Sequence, residues 1–513
     1  MNDKADKNEK AEKKPKQKKA PRTVARVNKG FRDVFADVLT GRMQLLDRIR
    51  RVYERYGFQP LETPALEYLD VLGKFLPESE QPDAGVFAFR NDDDEWVALR
   101  YDLTAPLSRV VAQYQNDLQR PFRRYQAGPV WRMEKPGPGR FREFWQFDFD
   151  TVGASSMMAD AECCCIMADA LESIGVSTGQ YLVQVNNRKV LDGVIESCGV
   201  TDDDTTPAGA PLKLNVMRTI DKLDKVGLDG VRLLLQKGRK DESGDFTPGC
   251  GLKDEQVDVV IRYFQSRAAT RAETCDRMLA AVGESAAGRE GVEELREIDR
   301  YLTALGYAED RVIFEPTVVR GLAYYTGPVF EAVLTVETVD EDGKPKQFGA
   351  VMGGGRYDDL VTRFTGQAVP AVGASMGVDR MLSALQFIGR LDDLRPRDAG
   401  VQVLVTVMDK ARRGDYLLLA KQLREAGIGT DVYMGNKPIG QQVKYADRLK
   451  IPFAVVAGSD EFDRGVWQVK DLALGEQLSA NIDDPKEFAR AAQSEVPASE
   501  LIARLKELIA ARG

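Results

Sequence analysis

Hydrophobic positions in the first third of the chain change from helical spacing to strand-like alternation. The helical spacing covers residues 31–57, and the segment 57–67 is predicted to be extended because Pro60 and Pro64 disfavour a helix. From 86 to 153, aromatic and β-branched residues alternate with polar ones between Gly/Pro turns, which is typical of strands. This region therefore combines one long helix with a run of predicted strands.

The middle of the chain is predicted to be a helical insertion within a β-rich region. A helix is predicted over 158–176, and residues 199–310 are charged and helical in period, with few strand signals. Strand signals resume at 311–336 and 351–361, and a further helix is predicted over 377–390.

After a predicted linker at 391–400, strands and helices alternate. The candidate strands are VQVLVTV, GTDVYMG, FAVVAG and VWQVKDL, with helices predicted at 411–426 and 438–449. This βαβαβ order favours a small α/β domain with a mostly parallel sheet.

The composition indicates the general class of protein but does not identify a reaction. The 513 residues are enough for roughly three domains. A 43% hydrophobic and 30% charged composition is typical of a soluble globular chain, and no apolar run approaches the length of a membrane span. Six cysteines without a CxxC pair predict reduced packing residues in a cytosolic protein. The net charge of −8 carries no global signature of a nucleic-acid binder.

The N-terminal segment differs from the rest of the chain. Residues 1–20 hold eight lysines, four acids and almost no large apolar side chain, so we expect disorder there and no secretory signal. A solubilising tail and a weak tether for a polyanion both remain open for it.

The sequence contains no histidine. Histidine is the side chain most used for proton transfer near neutral pH and the commonest metal ligand. Its absence excludes Ser-His-Asp catalytic triads and zinc sites with histidine ligands. Chemistry must rest on arginines, carboxylates, hydroxyls and the substrate's own groups, which favours electrostatic catalysis of phosphoryl or nucleotidyl transfer.

One cluster of arginines fits that chemistry. Arg132 precedes a predicted hairpin loop at 134–140, which begins with Glu134 and ends with Arg140, and Arg142 and Phe144 follow it. Guanidinium groups bind phosphate oxygens in bidentate fashion, and an aromatic ring stacks on a base. A solvated hairpin is the alternative for a charge cluster of this kind.

Longer motifs then identify a family. The arginine cluster resembles motif 2 of class II aminoacyl-tRNA synthetases, VGASMGVDRMLSAL (372–385) resembles motif 3, and the helix and strand of 38–67 with Pro64 resemble motif 1. Between motifs 2 and 3, VVRGLAYYTGPVFE (318–331) and GGGRYDDLV (353–361) resemble the two signature segments of the histidyl-tRNA synthetase family. The resemblance covers residue 29 to the C-terminus.

The resemblance implies an α+β fold, with an antiparallel-sheet catalytic domain of the class II type, a helical insertion, and a C-terminal α/β anticodon-binding domain. The implied boundaries are a lysine-rich tail at 1–28, a first catalytic segment at 29–198, the insertion at 199–310, a second catalytic segment at 311–395 and the anticodon-binding domain at 399–513. It also implies a cytoplasmic homodimer, with motif 1 at the dimer interface.

The family's functional residues map onto matching positions of this chain. The implied ATP-binding residues are Arg132, Glu134, Arg140, Arg142, Phe144 and Arg380. The implied histidine-binding residues are Asp102, Thr104, Gln146, Asp150, Arg320, Tyr324, Tyr325 and Tyr357. Arg320 and Arg132 are the implied catalytic residues, and the candidates for anticodon contact are Lys437, Gln441, Gln442 and Lys444.

Three departures from the family pattern stand out. Asp102 and Asp150 occupy positions where bacterial members often have glutamate, and Ala323 replaces an acidic residue of the signature. The loop EKPGPGR lacks the Arg-Pro-Gln that many relatives have near the tRNA acceptor end, which leaves the need for an extra 5′ guanine of tRNA-His open.

The activity implied is that of a histidine–tRNA ligase. L-histidine reacts with ATP, with Mg²⁺ as part of the substrate, to give histidyl-adenylate, and the histidyl group is then transferred to tRNA-His. No tightly bound cofactor, metal ligated by the protein or membrane partner is expected. Two alternatives remain: the synthetase-like, non-catalytic regulatory subunit of ATP phosphoribosyltransferase, and a class II synthetase for another amino acid.

Overall fold

The computed structural model describes residues 23–512, with gaps at 74–84, 138–139, 208, 241–243, 320, 322–323, 337, 340–344, 347–348, 360, 395–399, 473 and 475–492. The predicted disordered tail at 1–20 lies outside the described residues. The chain divides into two compact units, 1–388 and 389–513. Within the described residues, no helix combines the length and apolar character that crossing a membrane requires.

The first unit combines a large sheet with helices and three small sheets. Its helices are α1 Ala36–Arg55, α2 Leu69–Leu72, α3 Thr104–Gln113, α4 Met158–Ser173, α5 Arg188–Ser197, α6 Leu212–Ile220, α7 Leu223–Leu235, α8 Asp254–Phe264, α9 Arg271–Val282, α10 Ala286–Ala304, α11 Thr362–Thr365 and α12 Val378–Phe387. Its strands are β1 Gln59–Pro60, β2 Leu66–Tyr68, β3 Ala88–Arg90, β4 Trp96–Leu99, β5 Phe122–Trp131, β6 Glu143–Val152, β7 Tyr181–Asn187, β8 Gly238–Lys240, β9 Phe246–Pro248, β10 Val312–Phe314, β11 Pro328–Leu334, β12 Thr338–Val339, β13 Pro345–Lys346, β14 Met352–Arg356 and β15 Ala371–Gly377.

The large sheet has the order β1-β5-β6-β15-β14-β11-β7-β10. Its outermost pairs, β1–β5 and β7–β10, are parallel, and all the pairs between them are antiparallel. The predicted strands of motifs 2 and 3 and of both signature segments therefore meet in one sheet, which confirms the antiparallel catalytic fold.

Strand pleating gives this sheet an apolar face and a polar face. On the apolar face, the buried ring of Tyr53 from α1 lies with its centroid 4.9 Å from those of Phe147 and Phe149 and 6.1 Å from that of Tyr125. Successive side chains of a strand point to opposite faces, so the residues between these aromatic side chains lie on the other face.

One helix contradicts the prediction of strands over 86–153. Residues 104–113 form α3, whose Leu107, Val110 and Val111 are buried along one side. The Asp102 carboxylate accepts hydrogen bonds from the backbone N–H groups of Thr104 and Ala105 and so caps the start of this helix. Val110 and Val111 are β-branched and favour strands, so local preference hides the helical spacing of these residues in the sequence.

The second unit contains a five-stranded sheet around its own hydrophobic core. Its elements are a 3₁₀ helix Leu391–Leu394, helices α13 Arg413–Glu425, α14 Ile439–Arg448, α15 Ser459–Arg464 and α16 Leu501–Ala510, and strands β16 Val403–Val405, β17 Thr430–Val432, β18 Phe453–Val456, β19 Val466–Asp471 and β20 Gln493–Pro497. The pairs β16–β17 and β16–β18 are parallel, whereas β18–β19 and β19–β20 are antiparallel. The sheet is thus mixed rather than mostly parallel.

Candidate active site

Strand register places much of the predicted site on the polar face of the large sheet. In the β5–β6 hairpin, Arg124 lies opposite Asp150 and Gly128 lies opposite Gln146. Residues two apart share a face, so Phe144, Gln146 and Asp150 lie on the same side of β6. The sequence motif therefore brings its functional groups together through strand alternation.

Arg132 and Phe144 form one end of this face. Arg132 follows β5, its Nε donates a hydrogen bond of 3.0 Å to the carbonyl of Tyr101, and its Cζ lies 5.2 Å from the centre of the Phe144 ring. The backbone N–H of Arg132 donates to the carbonyl of Arg142 at 2.9 Å, which continues the hairpin beyond the strand. A guanidinium beside an aromatic ring suits a phosphate next to a base.

The other charged residues of the hairpin are more open. Glu134 and Arg140 are exposed, and Arg142 is half-buried. The Arg142 Nε donates to the carbonyl of Glu134 at 3.2 Å, and its backbone N–H donates to the carbonyl of Gly30 at 2.8 Å. The loop around Gly137 is thus tied to the segment that precedes α1.

Asp102 and Thr104 lie together at the start of α3. The Asp102 carboxylate accepts from the Thr104 N–H at 3.1 Å and the Ala105 N–H at 2.8 Å. Burial raises the pKa of Asp102, and the N–H donors and the positive charge of Arg132 oppose that rise. The carboxylate is fixed in place and is suited to accept from an ammonium group.

Three tyrosines form a chain of contacts that begins at Asp150. The Tyr357 hydroxyl donates to the Asp150 carboxylate, the Tyr324 ring stacks on Tyr357 with 5.5 Å between centroids, and Tyr325 lies edge-on to Tyr324 at 5.0 Å. Burial raises the pKa of Tyr324 and Tyr357 well above the ordinary value for a phenol, so both hydroxyls stay protonated. The signature segments thus form a row of aromatic rings that ends at one carboxylate.

The glycines of these segments make room for the working side chains. A Cβ on Gly373 would lie 2.2 Å from Asp150 Oδ1 and 2.4 Å from the carbonyl oxygen of Phe149. A Cβ on Gly355 would lie 2.6 Å from the Tyr325 ring, and one on Gly321, whose φ is +60°, would lie 2.5 Å from the same ring. Side chains at these positions would displace the groups that form the site.

Sequence reasoning missed two residues of this site. Arg124 is fully buried, with Nη2 2.7 Å from Asp150 Oδ2 and 3.0 Å from the Leu103 carbonyl. Asp148 is buried too, and burial, together with the negative charge of Asp150, raises the pKa of Asp148 to about 7, although Arg124 opposes that rise. Alternation of polar residues in FRRYQ and FWQFDFD was the available signal, because it places both side chains on the face of Asp150.

Gln146 and Arg380 complete the predicted set that the structure describes. The Gln146 Nε2 donates to Ser375 Oγ at 2.7 Å, which ties β6 to β15. Arg380 is exposed in the first turn of α12. Arg320 and Ala323 lie outside the described residues.

Asp379, which precedes Arg380, connects motif 3 to the other motifs. It accepts from the backbone N–H of Trp145 at 2.6 Å, from Arg32 Nη2 at 2.7 Å and from Arg42 Nη2 at 3.1 Å. The start of α12 is therefore fixed against β6 and α1, and sequence reasoning did not identify this role.

The anticodon candidates differ in exposure. Lys437, Gln441 and Lys444 are exposed around the start of α14. Gln442 is buried, and its amide bonds both the N–H and the carbonyl of Val407 at 2.8 Å and the carbonyl of Lys437 at 2.9 Å. Its polar atoms are used within the domain, so Gln442 is a structural residue.

The two units match two family models. Residues 30–381 match the model described as histidyl-tRNA synthetase, and residues 402–508 match the model described as an anticodon-binding domain. Among the residues that the structure describes, no group of three acidic or cysteine side chains is arranged to hold a metal ion.

Curated relatives and a solved structure agree with these matches over nearly the whole chain. The chain is 53% identical to a histidine–tRNA ligase of Cereibacter sphaeroides over 95% of its length and 98% of the relative, and 52% identical to one of Dinoroseobacter shibae over 96% and 98%. The crystal structure of a histidyl-tRNA synthetase from Nostoc sp. PCC 7120 superposes with a TM-score of 0.72 at 29% identity, covering 95% of this chain and 100% of that one. The chain therefore belongs to the histidyl-tRNA synthetase family of aminoacyl-tRNA ligases.

Proposed function

We propose that the polar face of the large sheet binds ATP and L-histidine side by side and joins them as histidyl-adenylate. This proposal rests on the observation that these side chains lie on the same face of the β5–β6 hairpin. Arg132 and Phe144 lie at one end of that face, and Asp150, which accepts a hydrogen bond from Tyr357, lies at the other. The first end suits a nucleotide, and the second suits an amino acid with a ring that carries hydrogen-bond donors and acceptors.

In this proposal the nucleotide occupies the arginine-rich end. Arg132 binds the α-phosphate, Phe144 stacks on adenine, and Glu134, Arg140 and Arg142 contact the nucleotide from the hairpin. Arg380, at the start of α12, binds the γ-phosphate. Mg²⁺ enters with ATP as part of the substrate.

Histidine occupies the other end of the face. Asp102, Thr104 and Gln146 bind the α-ammonium group, while Asp150 and Tyr325 bind the two ring nitrogens between Tyr324 and Tyr357. Asp150 and Asp102 are fixed by hydrogen bonds from Tyr357 and from the start of α3, so both carboxylates are positioned before the substrate arrives.

The reaction then needs stabilisation of charge rather than a histidine base. The substrate carboxylate attacks the α-phosphorus of ATP and diphosphate leaves, while Arg132 and Arg320 neutralise negative charge on the phosphate oxygens. The terminal adenosine hydroxyl of tRNA-His then attacks the activated carbonyl, and AMP leaves.

We further propose a cytoplasmic homodimer that binds tRNA through both units. Phe35, Leu39 and Met43, in and just before the motif 1 helix α1, are 79%, 41% and 63% exposed, which suits burial against a second copy of the chain. Lys437, Gln441 and Lys444 contact the anticodon, whereas Gln442 supports the loop beneath them. The proposed domains are a lysine-rich tail at 1–28, two catalytic segments at 29–198 and 311–395, a helical insertion at 199–310 and an anticodon-binding domain at 399–513.

Exchange of labelled diphosphate into ATP tests the activation step. We expect exchange that depends on L-histidine and on no other amino acid. An absence of exchange would support the regulatory-subunit alternative, and exchange with another amino acid would support a different specificity. Neither outcome is compatible with the proposal.

Arg320→Ala tests the role of the signature arginine. We expect loss of exchange, with a circular dichroism spectrum and melting temperature like those of the unchanged protein, because the guanidinium stabilises charge that develops during the reaction. Activity within a few-fold of the unchanged protein would show that another group neutralises this charge.

A further inference from the structure

We propose that Arg124 is a positioning residue for histidine recognition: it aligns Asp150 with the Asp102 loop and keeps the Asp150 carboxylate negatively charged. The inference rests on the proposed role of Asp150 in binding the imidazole ring. Arg124 belongs to no signature segment, and its role follows from contacts that connect the two ends of the histidine site.

Arg124 joins two elements that are distant in sequence. Its Nη2 lies 2.7 Å from Asp150 Oδ2 on β6 and donates at 3.0 Å to the carbonyl of Leu103. Leu103 lies between Asp102 and Thr104, the residues proposed to bind the α-ammonium. One guanidinium therefore fixes the distance between Asp150, which is proposed to bind the imidazole ring, and the residues that are proposed to bind the α-ammonium group.

A second arginine of the same strand face completes this arrangement. Arg132, eight residues further along and therefore on the same face, donates to the carbonyl of Tyr101 at 3.0 Å. The loop that carries Asp102 is thus held at Tyr101 by Arg132 and at Leu103 by Arg124. The loop is shared between the nucleotide end and the amino-acid end of the site.

Arg124 also places a positive charge among several buried acids. Burial raises the pKa of Asp150, the charge of Arg124 and the Tyr357 hydroxyl lower it, and the charge of Asp102 raises it. The titratable groups facing Asp150 from the surrounding elements are Arg124, Asp148, Asp102, Tyr324 and Tyr357 on the polar side and Tyr53 and Cys163 on the apolar side. Without Arg124, burial and the neighbouring acids would both favour a protonated Asp150.

The contacts of Arg124 are not those of a residue kept for stability. Its side chain is 0% exposed, yet Nε and Nη1 have no hydrogen-bond partner within the described residues of the chain. Replacing both partners of a buried ion pair by apolar side chains is often neutral for stability, so such a pair is weak evidence for a stabilising role. The charge is therefore better explained by what it does to Asp150.

The test compares Arg124→Met with Arg123→Met in the full chain. Arg123 is the neighbouring residue on the opposite face, where it pairs with Glu162 and lies over Phe58, so its loss should leave histidine binding unchanged. In diphosphate exchange at neutral pH we expect Arg124→Met to raise the KM for histidine about tenfold or more, because the Asp150 carboxylate loses both its alignment and its charged partner. The KM for ATP should change by less than about twofold.

The pH profile distinguishes this role from a structural one. Loss of Arg124 raises the pKa of Asp150, so more of that carboxylate is protonated at neutral pH. The excess KM for histidine should therefore shrink as the pH rises toward about 9.

The outcomes distinguish a positioning role of Arg124 from a purely structural one. A folded Arg124→Met with unchanged histidine KM and pH profile overturns the inference, as does an equal rise in both KM values at every pH. If Arg124→Met does not fold, Arg124→Lys, which keeps the charge but not the planar fork, should raise the histidine KM less than a neutral residue such as glutamine and keep the pH profile unshifted. Asp150→Asn checks the premise: if it leaves the histidine KM unchanged, the proposed site itself is wrong, whatever Arg124 does.

Discussion

At the scale of single residues, space left by glycine is as important to the site as the charged side chains. Gly373 leaves room for the Asp150 carboxylate, and Gly355 leaves room for the Tyr325 ring. The sequence shows these glycines as members of motifs. Only the register of β14, β15 and β6 shows which side chain each of them accommodates.

Gly373→Ala should therefore damage histidine binding. The added Cβ would lie 2.2 Å from Asp150 Oδ1 and 2.4 Å from a backbone carbonyl that cannot move aside. We expect at least a several-fold rise in the histidine KM and a loss of about 1–3 kcal/mol in the free energy of unfolding.

Gly377→Ala is the matched control in the same strand. Its Cβ would meet no atom closer than 3.5 Å, an ordinary contact distance. Its histidine KM should match that of the unchanged protein. Equal effects of the two substitutions would show that the space around Asp150 is not what Gly373 provides.

At the scale of elements, helix α1 packs on the sheet in part through the aromatic side chain of Tyr53. The Tyr53 ring contacts Tyr125, Phe147 and Phe149, but its buried hydroxyl has no hydrogen-bond partner within the described residues. The helical spacing over 31–57 predicts a helix at Tyr53. The sequence could not show that the hydroxyl is left unsatisfied there.

Tyr53→Phe should leave the protein as stable or make it more stable, by up to about 1 kcal/mol in urea unfolding, because an unpaired hydroxyl is removed and the ring is kept. Tyr53→Leu should destabilise it by about 1–3 kcal/mol because the ring contacts are lost. If Tyr53→Phe lowered the free energy of unfolding as much as Tyr53→Leu, the hydroxyl would have to be bonded in solution.

At the scale of the whole molecule, a chain without histidine still has a group that titrates near neutrality. Burial raises the pKa of Asp148 to about 7, far above that of an aspartate in an unfolded chain. The folded protein therefore holds a proton there that the unfolded chain releases. The contribution of Asp148 to stability is fully present below about pH 4 and is lost as the pH rises to about 7.

Asp148→Asn should remove this dependence. Relative to the unchanged protein, the variant's free energy of unfolding should increase between about pH 4 and pH 7 and level off above that range. Urea unfolding across this range measures the difference. A difference that stays constant with pH would mean that Asp148 is ionised throughout in the folded state.

The sequence by itself determined the family, the strands that carry the motifs and most of the proposed site, because short motifs fix residue types and alternation fixes faces. Tertiary structure decided what depends on distant partners. It turned 104–113 into a helix by packing one apolar side, buried Gln442 against Val407, and placed Arg124 between Asp150 and Leu103. Those contacts join residues far apart in the chain, and no local pattern of hydrophobic and polar positions encodes the distance between them.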